Sequence, residues 1–438
     1  MNIDGFMTAK IRDFFEYTIA GEWGSEGNLE TDTPVLRSTN FTNKGKIDYS
    51  DIAYRKIDSS CISRRLVNRE TILIEKSGGS PSQPAGRVVY CEEDFIGGAS
   101  NFIEIAKTNN LYCAKYIFFL LHYLYQTGLV LKYQQQTTGI INFKLEQYKD
   151  EEVLFASDKK EQEKIAAVLS TIDRAIAQTE AIIAKQQRIK TGLMQDLLTK
   201  GIDENGNIRS EDTHEFKDSR LGRIPLNWDV QCLENLVDNI YQGWSPDCES
   251  DSVSEDEWGV LKTTAVTWDG YNSQENKKLP TFLNPRPLLE VKKGDVLITR
   301  AGPNSRVGVI SYVYETLNKK ILSDKIYSLK FKENLEPRFF VYSLSGFASQ
   351  QYLSALKTGM AESQTNISQE IVKKMLTVIP SIQEQISISN LLDQSLQGFK
   401  EYLITKNKLY KLKTGLMQDL LTGKVRVTNL LQEKAAAN

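Results

Sequence analysis

The sequence has 438 residues, which corresponds to about two to four domains of ordinary size. Hydrophobic residues make up 40% and charged residues 25% of the chain, and this balance excludes an intrinsically disordered protein. The formal net charge of -2 excludes a histone-like polycation. Nucleic-acid binding stays open, because a local basic face needs no overall excess of cations.

The start of the chain, residues 1–15, has early acidic residues and no long apolar run, so it is not a secretory signal. The most apolar stretch, residues 116–125, predicts a buried helix, because a membrane span needs about 20 residues. We therefore expect a cytoplasmic protein without a membrane segment. Cysteines without CxxC spacing and only two histidines predict no zinc site, no disulfide framework and no histidine-based metal catalysis. These residues are Cys61, Cys91, Cys113, Cys232, Cys248, His122 and His214.

Two features precede the first long helix. Ile72-Leu73-Ile74 predicts a short buried strand, and the loop at 77–87 that follows is rich in the small and turn-forming residues that often carry binding groups. Upstream lies a basic run, for which a DNA-contacting face and a merely solvated face are equally good interpretations. The run consists of Arg55, Lys56, Arg64, Arg65 and Arg69.

A long helix is predicted over 158–201. Asp158 and Glu161 form a capping-box pattern at its start, and Gly201 lies just past its last apolar residues. Between these ends, residues spaced by three and four positions predict a coiled-coil seam of about four heptads. The predicted seam is Ile165, Val168, Ile172, Ala175, Thr179, Ile182, Gln186, Ile189 and Leu193.

The chain contains a long internal repeat. The ten residues KTGLMQDLLT occur at 190–199 and again at 413–422. Other repeated motifs are separated by nearly the same number of residues. We therefore predict two copies of one unit, each a mixed domain followed by a long helix. The other repeated pairs are Glu161-Gln162 with Glu384-Gln385, Val35-Leu36 with Val260-Leu261, Ile72-Leu73-Ile74 with Val296-Leu297-Ile298, and Tyr116-Ile117-Phe118 with Phe339-Phe340-Val341.

The second long helix is predicted over 381–424. Ser381 and Glu384 form its capping-box pattern, and Gly423 follows its last apolar residues. The two helices are natural partners, and antiparallel pairing would create a pseudo-two-fold axis with the mixed domains at opposite ends. The predicted seam is Ile388, Leu391, Ser395, Gly398, Tyr402, Thr405, Leu409, Leu412 and Leu416.

The predicted fold class is therefore α+β. It consists of two similar mixed α/β domains separated by two long antiparallel coiled-coil helices, with a pseudo-two-fold internal repeat. The predicted boundaries are 1–157 and 202–380 for the domains, 158–201 and 381–424 for the helices, and 425–438 for a C-terminal tail.

The sequence resembles the specificity (S, or HsdS) subunits of type I restriction-modification systems. The resemblance covers essentially the whole chain. It rests on the two-copy layout, the Glu-Gln start of each long helix and the GLMQDLLTGK ending at 415–424 with its twin at 192–201. GDVLITRAG at 294–302 and the segment from 224 to 246 are also similar to parts of target recognition domains in that family.

The resemblance implies a phage-defence protein with two target recognition domains, each of which reads one half of a split, asymmetric DNA site. It implies that the helices set the spacing and dock two methyltransferase subunits, and that motor-nuclease subunits join afterwards. Double-stranded DNA is the implied ligand. No cofactor is expected in this chain, whereas S-adenosylmethionine, ATP and Mg are expected in the partner subunits.

The sequence carries none of the familiar catalytic signatures. There is no Walker A pattern and no GxGxxG after a strand. Asn284-Pro-Arg-Pro287 lacks the aromatic ending of an adenine-methyltransferase motif, and Asp247 with Glu275 and Lys277 lies outside an apolar strand, unlike a nuclease cluster. The sequence thus favours a non-catalytic binding subunit.

The DNA-binding candidates lie in loops that the repeat places at similar positions. Arginine pairs with guanine and with phosphates, and Asn and Gln pair with adenine. Arg300 and Arg306 flank the Gly-Pro-Asn-Ser loop, and Lys76 with Ser77 is their counterpart in the first copy. The candidates are Arg37, Ser38, Lys76, Ser77, Thr137, Thr138, Lys262, Thr263, Thr264, Arg300, Asn304, Arg306, Gln364 and Thr365.

The apolar ends of the helices have two interpretations. They either dock methyltransferase subunits or pack inside the helix pair and under their own domains. The residues are Leu193, Met194, Leu197, Leu198, Leu416, Met417, Leu420 and Leu421. Two other function classes remain open: a duplicated coiled-coil scaffold that binds only protein, and a single-chain DNA enzyme with an unrecognised motif.

Overall fold

The computed structural model describes residues 3–27, 32–80, 82–137, 140–357 and 364–429. The chain divides into two compact units. The first unit comprises Met1–Ala181 and Ile404–Asn438, and the second comprises Ile182–Leu403. Each unit therefore contains one mixed domain together with part of each long helix.

The described part of the first unit is built mainly of short strands. Its strands are β1 (Phe6–Lys10), β2 (Phe15–Ala20), β3 (Ser25–Glu26), β4 (Thr33–Leu36), β5 (Ala53–Lys56), β6 (Ile72–Glu75), β7 (Ser77–Gly79), β8 (Val88–Tyr90), β9 (Gly98–Ala99), β10 (Ile103–Thr108), β11 (Gln134–Thr137), β12 (Ile140–Phe143) and β13 (Glu152–Ala156). Its helices are α1 (Ser59–Arg64), α2 (Ala114–Gln126), α3 (Leu145–Lys149) and the first long helix, α4 (Lys159–Thr199), which continues into the second unit.

The centre of the first unit is a four-stranded antiparallel sheet in the order β2-β10-β6-β8. The predicted strand at 72–74 is β6, which is buried along its whole length as a central strand should be. The predicted apolar helix is α2, whose residues Tyr116 to His122 are all buried. Strand β1 pairs with β13 and thereby holds the start of the chain next to the start of α4.

The second unit is also built mainly of short strands with a few helices. Its strands are β14 (Phe216–Ser219), β15 (Gly222–Pro225), β16 (Asp229–Cys232), β17 (Val237–Gln242), β18 (Gly259–Leu261), β19 (Val266–Thr267), β20 (Gly270–Tyr271), β21 (Asn276–Lys278), β22 (Val296–Thr299), β23 (Ala301–Gly302), β24 (Ile310–Tyr312), β25 (Lys320–Ile321), β26 (Ile326–Phe331), β27 (Thr365–Asn366) and β28 (Leu376–Ile379). Its helices are α5 (Pro337–Ser345), α6 (Phe347–Leu356), α7 (Gln369–Lys373) and the second long helix, α8 (Ile382–Leu421), which continues into the first unit.

The topology of the second unit repeats that of the first. Its four-stranded sheet has the order β17-β26-β22-β24, and β16 pairs with β28 as β1 does with β13. The register matches as well, because Ile72 lies opposite Tyr90 in one sheet and Val296 lies opposite Tyr312 in the other. In both units one strand pair is parallel, β4 with β9 and β18 with β25. The internal repeat predicted from the sequence is confirmed.

Each unit has its own hydrophobic core, to which both long helices contribute. In the first unit, Ile165 and Leu169 from the start of α4 join Met417 and Leu420 from the end of α8. In the second unit the roles are exchanged, since the core holds Leu197 from the end of α4 and Ile388 and Leu392 from the start of α8. A fully buried side chain of this size contributes about 1.5–3 kcal/mol. The antiparallel pairing of the helices is thus confirmed within each unit.

The predicted helix seams are correct at every second position and wrong at the others. Ile165, Ile172, Thr179 and Gln186 are buried or half-buried, as predicted. Between them, Leu169, Ile176 and Ile183 are less exposed than the predicted Val168, Ala175 and Ile182, although Val168 also packs against the first core. Ile182 and Ile189 are 39% and 45% exposed. The same shift by one residue occurs in α8, where Leu392, Phe399 and Lys413 replace Leu391, Gly398 and Leu412. The spacing is four then three, because the domains cover the side of each helix on which these residues lie.

The repeated Glu-Gln pair at the start of each long helix does not complete a capping box. Ser381 accepts a hydrogen bond from the Glu384 N–H, but the Glu384 carboxylate turns away from the helix start. It is buried and accepts bonds from Arg209, from the Trp228 indole and from the Ile202 N–H at 3.0 Å. In the first unit, Glu161 is fully buried and binds Arg426 through two contacts of 2.7 Å.

Glycine is required where α4 ends. Gly201 has a φ of +64°, as predicted for a helix-terminating glycine. A Cβ atom at this position would lie 2.2 Å from Glu384 Oε1 and 2.4 Å from the Trp228 ring. The terminating glycine therefore also allows the buried Glu384 network to approach the backbone. Gly423 at the end of α8 likewise has a positive φ, +73°.

Among the described residues, none of the helices combines the length and the hydropathy that crossing a lipid bilayer requires.

His122 on α2 is a buried ionisable group in the first core. Its ring stacks on Phe118, its Nε2 atom lies 2.9 Å from the Gln126 amide, and its Nδ1 atom has no partner in the described part of the chain. Burial, with a smaller contribution from the nearby Lys413, lowers the pKa of His122 to about 4. His122 is therefore neutral in the folded protein near pH 7.

We predict that His122 makes the first unit sensitive to mild acid. Because the folded pKa lies below the unfolded value of 6.5, the unfolded state binds more protons as the pH falls, and stability is lost from about pH 6.5 towards pH 4. The loss attributable to His122 should reach about 2 kcal/mol at pH 5. Urea unfolding of the wild type and of His122→Gln at pH 7 and pH 5 measures it. Equal pH dependence in the two proteins would contradict the assignment.

Candidate nucleic-acid interface

The two units contain the same turn after their parallel strand pair. Strand β4 leads through Arg37 into a 3-10 turn at Ser38–Asn40, and β18 leads through Lys262 into a 3-10 turn at Thr263–Ala265. The predicted candidates in these segments therefore occupy equivalent places. In both copies the carbonyl groups of this turn can accept further hydrogen bonds.

An arginine supplies those donors in each unit. Arg87 donates to the Phe41 carbonyl at 2.6 Å and to the Ser38 carbonyl at 2.9 Å, and it is itself held by the buried Glu75. Arg306 donates to the Thr263 carbonyl at 2.7 Å and to the Val266 carbonyl at 3.2 Å. Arg87 and Arg306 thus fix the same turn in the two copies. Sequence reasoning missed Arg87, because the number of residues between Arg87 and Arg306 differs from the number that separates the repeated motifs.

The structure brings the backbone segments of Arg300 and Thr365 together, although the sequence did not predict this pairing. The Arg300 carbonyl accepts a bond from the Ile367 N–H, and Gly302 lies opposite Thr365 in the β23–β27 pair. Arg300 Nη1 donates to the Asp324 carbonyl at 3.1 Å, and the guanidinium lies 5.5 Å from the centre of the Tyr327 ring. Its Nε atom is buried without a partner in the described part of the chain. Arg300 is therefore held mainly by its own domain.

The remaining candidates of the second unit are more accessible. Asn304 is exposed, and its side-chain oxygen accepts a bond of 3.3 Å from Lys357, whose pKa is lowered by burial. Thr264 is also exposed and donates to Glu275 at 2.5 Å. Gln364 is exposed at the start of β27. These residues border the turn that Arg306 holds, so the second unit presents a polar edge there.

The candidates of the first unit are largely engaged within the domain. Arg37 forms an ion pair with Asp51 at 2.7 Å, and Lys76 forms one with Glu104 at 3.1 Å. Ser77 is buried and donates to Asn142 at 2.6 Å. Thr137 is the last residue of β11, in the sheet β11-β12-β7 that also contains Ser77. Thr138 lies outside the described residues.

The basic run of the first unit divides into two sets. Arg55 lies over the Trp23 ring at 4.3 Å, and Arg65 donates to the Ala20 carbonyl at 2.9 Å, so both are structural. The other three side chains are exposed and pair with no carboxylate among the described residues. They are Lys56, Arg64 and Arg69, at or near helix α1.

The second unit has exposed acids at residues 247–257, between Trp244 and β18. Exposed lysines lie near the place where the repeat puts the basic run, at Lys277, Lys292 and Lys293. Phe282 and Leu288 are 84% and 97% exposed on a proline-rich loop, and Arg286 lies 4.0 Å from the centre of the Trp244 ring. A tryptophan–arginine stack thus follows the first sheet strand in both units. The repeated Gly and Trp at 21–23 and 243–244 could have indicated this pair, but the arginines lie too far away in sequence to be assigned.

The predicted partner surface is partly contradicted. Leu197, Met417, Leu420 and Leu421 are buried in the cores of their own units, and so they cannot contact a docking subunit. A charged substitution at Met417 would therefore disrupt the fold before it could report on docking. The remaining four residues are half-buried. They are Leu193, Met194, Leu198 and Leu416.

Comparison with known proteins identifies the repeated domain. The sequence model of the family described as "Type I restriction modification DNA specificity domain" matches residues 3–187 and 260–411, which together are most of the chain. The chain belongs to this specificity family. The two matched regions correspond to the two copies seen in the structure, and the resemblance inferred from the sequence motifs is confirmed.

Named relatives agree with membership of the specificity family. The chain is 39% identical over 178 residues to the type I restriction enzyme EcoEI specificity subunit of Escherichia coli, a match that covers 40% of this chain and 30% of that protein. It is 26% identical over 376 residues to the MjaVIII specificity subunit of Methanocaldococcus jannaschii, and that match covers 83% of this chain and 81% of the relative.

A solved structure shares the fold of this specificity-family chain. The crystal structure of the type I restriction-modification S subunit from M. genitalium superposes with a TM-score of 0.60 over 96% of both chains. The identity is 15%, so the likeness concerns the fold alone. The α+β architecture with two similar mixed domains and two long helices is confirmed.

We predict that Arg306 positions its turn and is needed for stability. Arg306→Ala removes two hydrogen bonds to backbone carbonyls and should lower the free energy of unfolding by about 1–3 kcal/mol. Lys325→Ala, an exposed cation close by in sequence, should change it by less than about 0.5 kcal/mol. Chemical denaturation measures both values. An Arg306→Ala protein as stable as Lys325→Ala would contradict the positioning role.

Proposed function

We propose that this chain is the DNA sequence-specificity subunit of a type I restriction-modification complex, and that each recognition domain reads one half of a split, asymmetric DNA site. The observation that carries the proposal is a repeated framework with unlike surfaces. The sheet order, the register and the arginine-held turn are the same in both units. The exposed side chains outside this framework differ between the two units, as two different half-sites require.

The first unit offers the chemistry for the DNA backbone. Lys56, Arg64 and Arg69 are exposed on and near one short helix, and cations of this kind neutralise phosphates. In the second unit, the exposed amides of Asn304 and Gln364 can contact bases. The overall charge of -2 does not oppose this, because the acids are concentrated elsewhere, for example at 247–257. Double-stranded DNA is therefore the proposed ligand.

The proposed partners follow from the family. Two methyltransferase subunits would dock on the helices, and motor-nuclease subunits would join them. S-adenosylmethionine, ATP and Mg would act in those partners, and the present chain would be non-catalytic. In this view Leu193, Met194, Leu198 and Leu416 are the part of the predicted partner surface that stays accessible. Such a complex acts on DNA in the cytoplasm, where the five free cysteines stay reduced.

The first prediction of the proposal concerns phosphate contacts. Replacing Lys56, Arg64 and Arg69 together by Gln should weaken binding to duplex DNA and reduce the slope of log K against log salt by about 2–3. Fluorescence anisotropy with a mixed-sequence duplex over a salt series measures this. A matched triple substitution at Lys160, Lys408 and Lys411, which are exposed on the long helices, is the control.

Equal losses in the two triple variants would show that only net charge matters and would remove the basic helix from the interface. A wild-type chain that ignores duplex DNA even with its methyltransferase subunits present would instead favour the protein-only scaffold. Methyl transfer by the isolated chain would favour the single-chain enzyme.

The second prediction concerns the gap between the half-sites. Inserting one heptad after Ala184 and another after Leu403 keeps each seam in phase and lengthens each helix by about 10 Å. The unread gap should grow by about 3 base pairs while both half-sites stay the same. Mapping of methylated bases in cells that carry the complex measures the gap. An unchanged gap with altered half-sites would contradict the spacer role.

A further inference from the structure

The second unit contains a cavity of about 640 Å³ between its mixed domain and the two long helices. This volume is within the range of small-molecule sites. One wall is the turn around Gly270 together with strand β24, and the opposite wall includes Lys190 of α4 and Lys400 of α8. The cavity adjoins the segment that Arg306 holds, because Thr267 lines it and the carbonyl of the preceding Val266 accepts a hydrogen bond from Arg306.

The internal repeat shows that this cavity is not a requirement of the fold. The same place in the first unit is filled, because the turn around Gly45 packs against α2. A Cβ atom on Gly45 would lie 3.0 Å from both Phe118 and His122. In the second unit the counterparts of Phe118 and His122 are the smaller Val341 and Ser345. A Cβ atom on Gly270 would meet only the Lys400 ammonium group, at 3.8 Å.

The charge balance differs between the two copies in the same way. Lys413 in the first unit forms an ion pair of 2.7 Å with Asp173. Its repeat counterpart is Lys190, but the counterpart of Asp173 is Leu396, which also borders the cavity. Lys190 is half-buried, lies 5.7 Å from the centre of the Phe399 ring and pairs with no carboxylate among the described residues. The second copy has thus kept the cation and lost its counter-ion.

The cavity also has aromatic walls. Trp268, which is 49% exposed, borders it together with Tyr271, Tyr312 and Tyr314. Asp393 at its edge is already neutralised, since Arg338 binds it at 2.6 Å and the hydroxyls of Tyr314 and Tyr342 donate to it. Burial, followed by the bond to Asp393, raises the pKa of both phenols, so they stay protonated as donors. The site therefore offers ring stacking and the cations of Lys190 and Lys400, and the exposed carboxylates of Asp269 and Glu315 lie at its border.

We propose that this cavity of the second unit binds a planar aromatic anion of the size of a purine mononucleotide, with the anionic group at Lys190 and the ring against Trp268 and the tyrosines. Stacking of a base on aromatic side chains is favourable and independent of sequence. A phosphate or carboxylate at Lys190 replaces the carboxylate that Asp173 supplies in the other copy. The proposal assigns a small-molecule ligand to this cavity, and its test does not depend on DNA recognition.

Isothermal titration calorimetry of the full chain tests the proposal, with AMP as the probe. Adenosine and inorganic phosphate are titrated separately, so that the contributions of the ring and of the anionic group to binding can be compared. The variants are K190M, which removes the cation; L396D, which restores the counter-ion of the first copy; and S345H, which fills the cavity as His122 does. K185M removes an exposed lysine from the same helix and is the control.

We expect saturable binding of AMP at one site and binding of adenosine and of phosphate that is at least about tenfold weaker. K190M and L396D should each raise the dissociation constant of AMP about tenfold or more. K190M removes the charge-assisted contact, and in L396D the new carboxylate already pairs with Lys190. K185M should leave it unchanged. The proposal is overturned if AMP gives no saturable binding, if inorganic phosphate binds as tightly as AMP, or if K190M and S345H both bind AMP like the wild type.

Discussion

A buried ion pair between the start of one long helix and the segment that follows the other is the constraint on which the architecture depends. Glu384 holds Arg209, which follows α4, and Glu161 holds Arg426, which follows α8. Separating either pair would leave a charge buried without a partner, which typically costs about 3–5 kcal/mol. Because the pairs are reciprocal, each unit is closed by residues from both helices. This explains why the Glu-Gln start and the terminating glycine recur together in the sequence.

The repeated domains, which these ion pairs join to the helices, combine a constant framework with a variable surface. The arginine that holds the 3-10 turn is Arg87 in one copy and Arg306 in the other, and it makes the same backbone contacts in both. Outside this framework, one copy carries exposed cations on and near α1, and the other carries exposed acids at 247–257 and the exposed apolar side chains of Phe282 and Leu288. A specificity protein benefits from this separation, since its loops can change without loss of the fold.

Much of the fold could be predicted from the sequence, because the repeat and the apolar periodicity are strong signals. The strand at 72–74, the helix at 116–125 and the antiparallel pairing all follow from them. The phase of the seams could not, because apolar neighbours such as Val168-Leu169 and Ile182-Ile183 fit either choice, and only packing against the domains selects one. A charged seam residue such as Lys413 misleads further. Contacts of Arg87 and Arg306 with backbone carbonyls leave no pattern in the sequence.

The central claim is that two unlike surfaces on one repeated framework read two different half-sites. The most direct measurement is genome-wide detection of methylated adenines in a host that carries this chain with its partner subunits. The account predicts one split motif with unlike halves, a fixed unread gap and loss of methylation when the chain is absent. A continuous motif, two identical halves, or methylation that persists without the chain would contradict it.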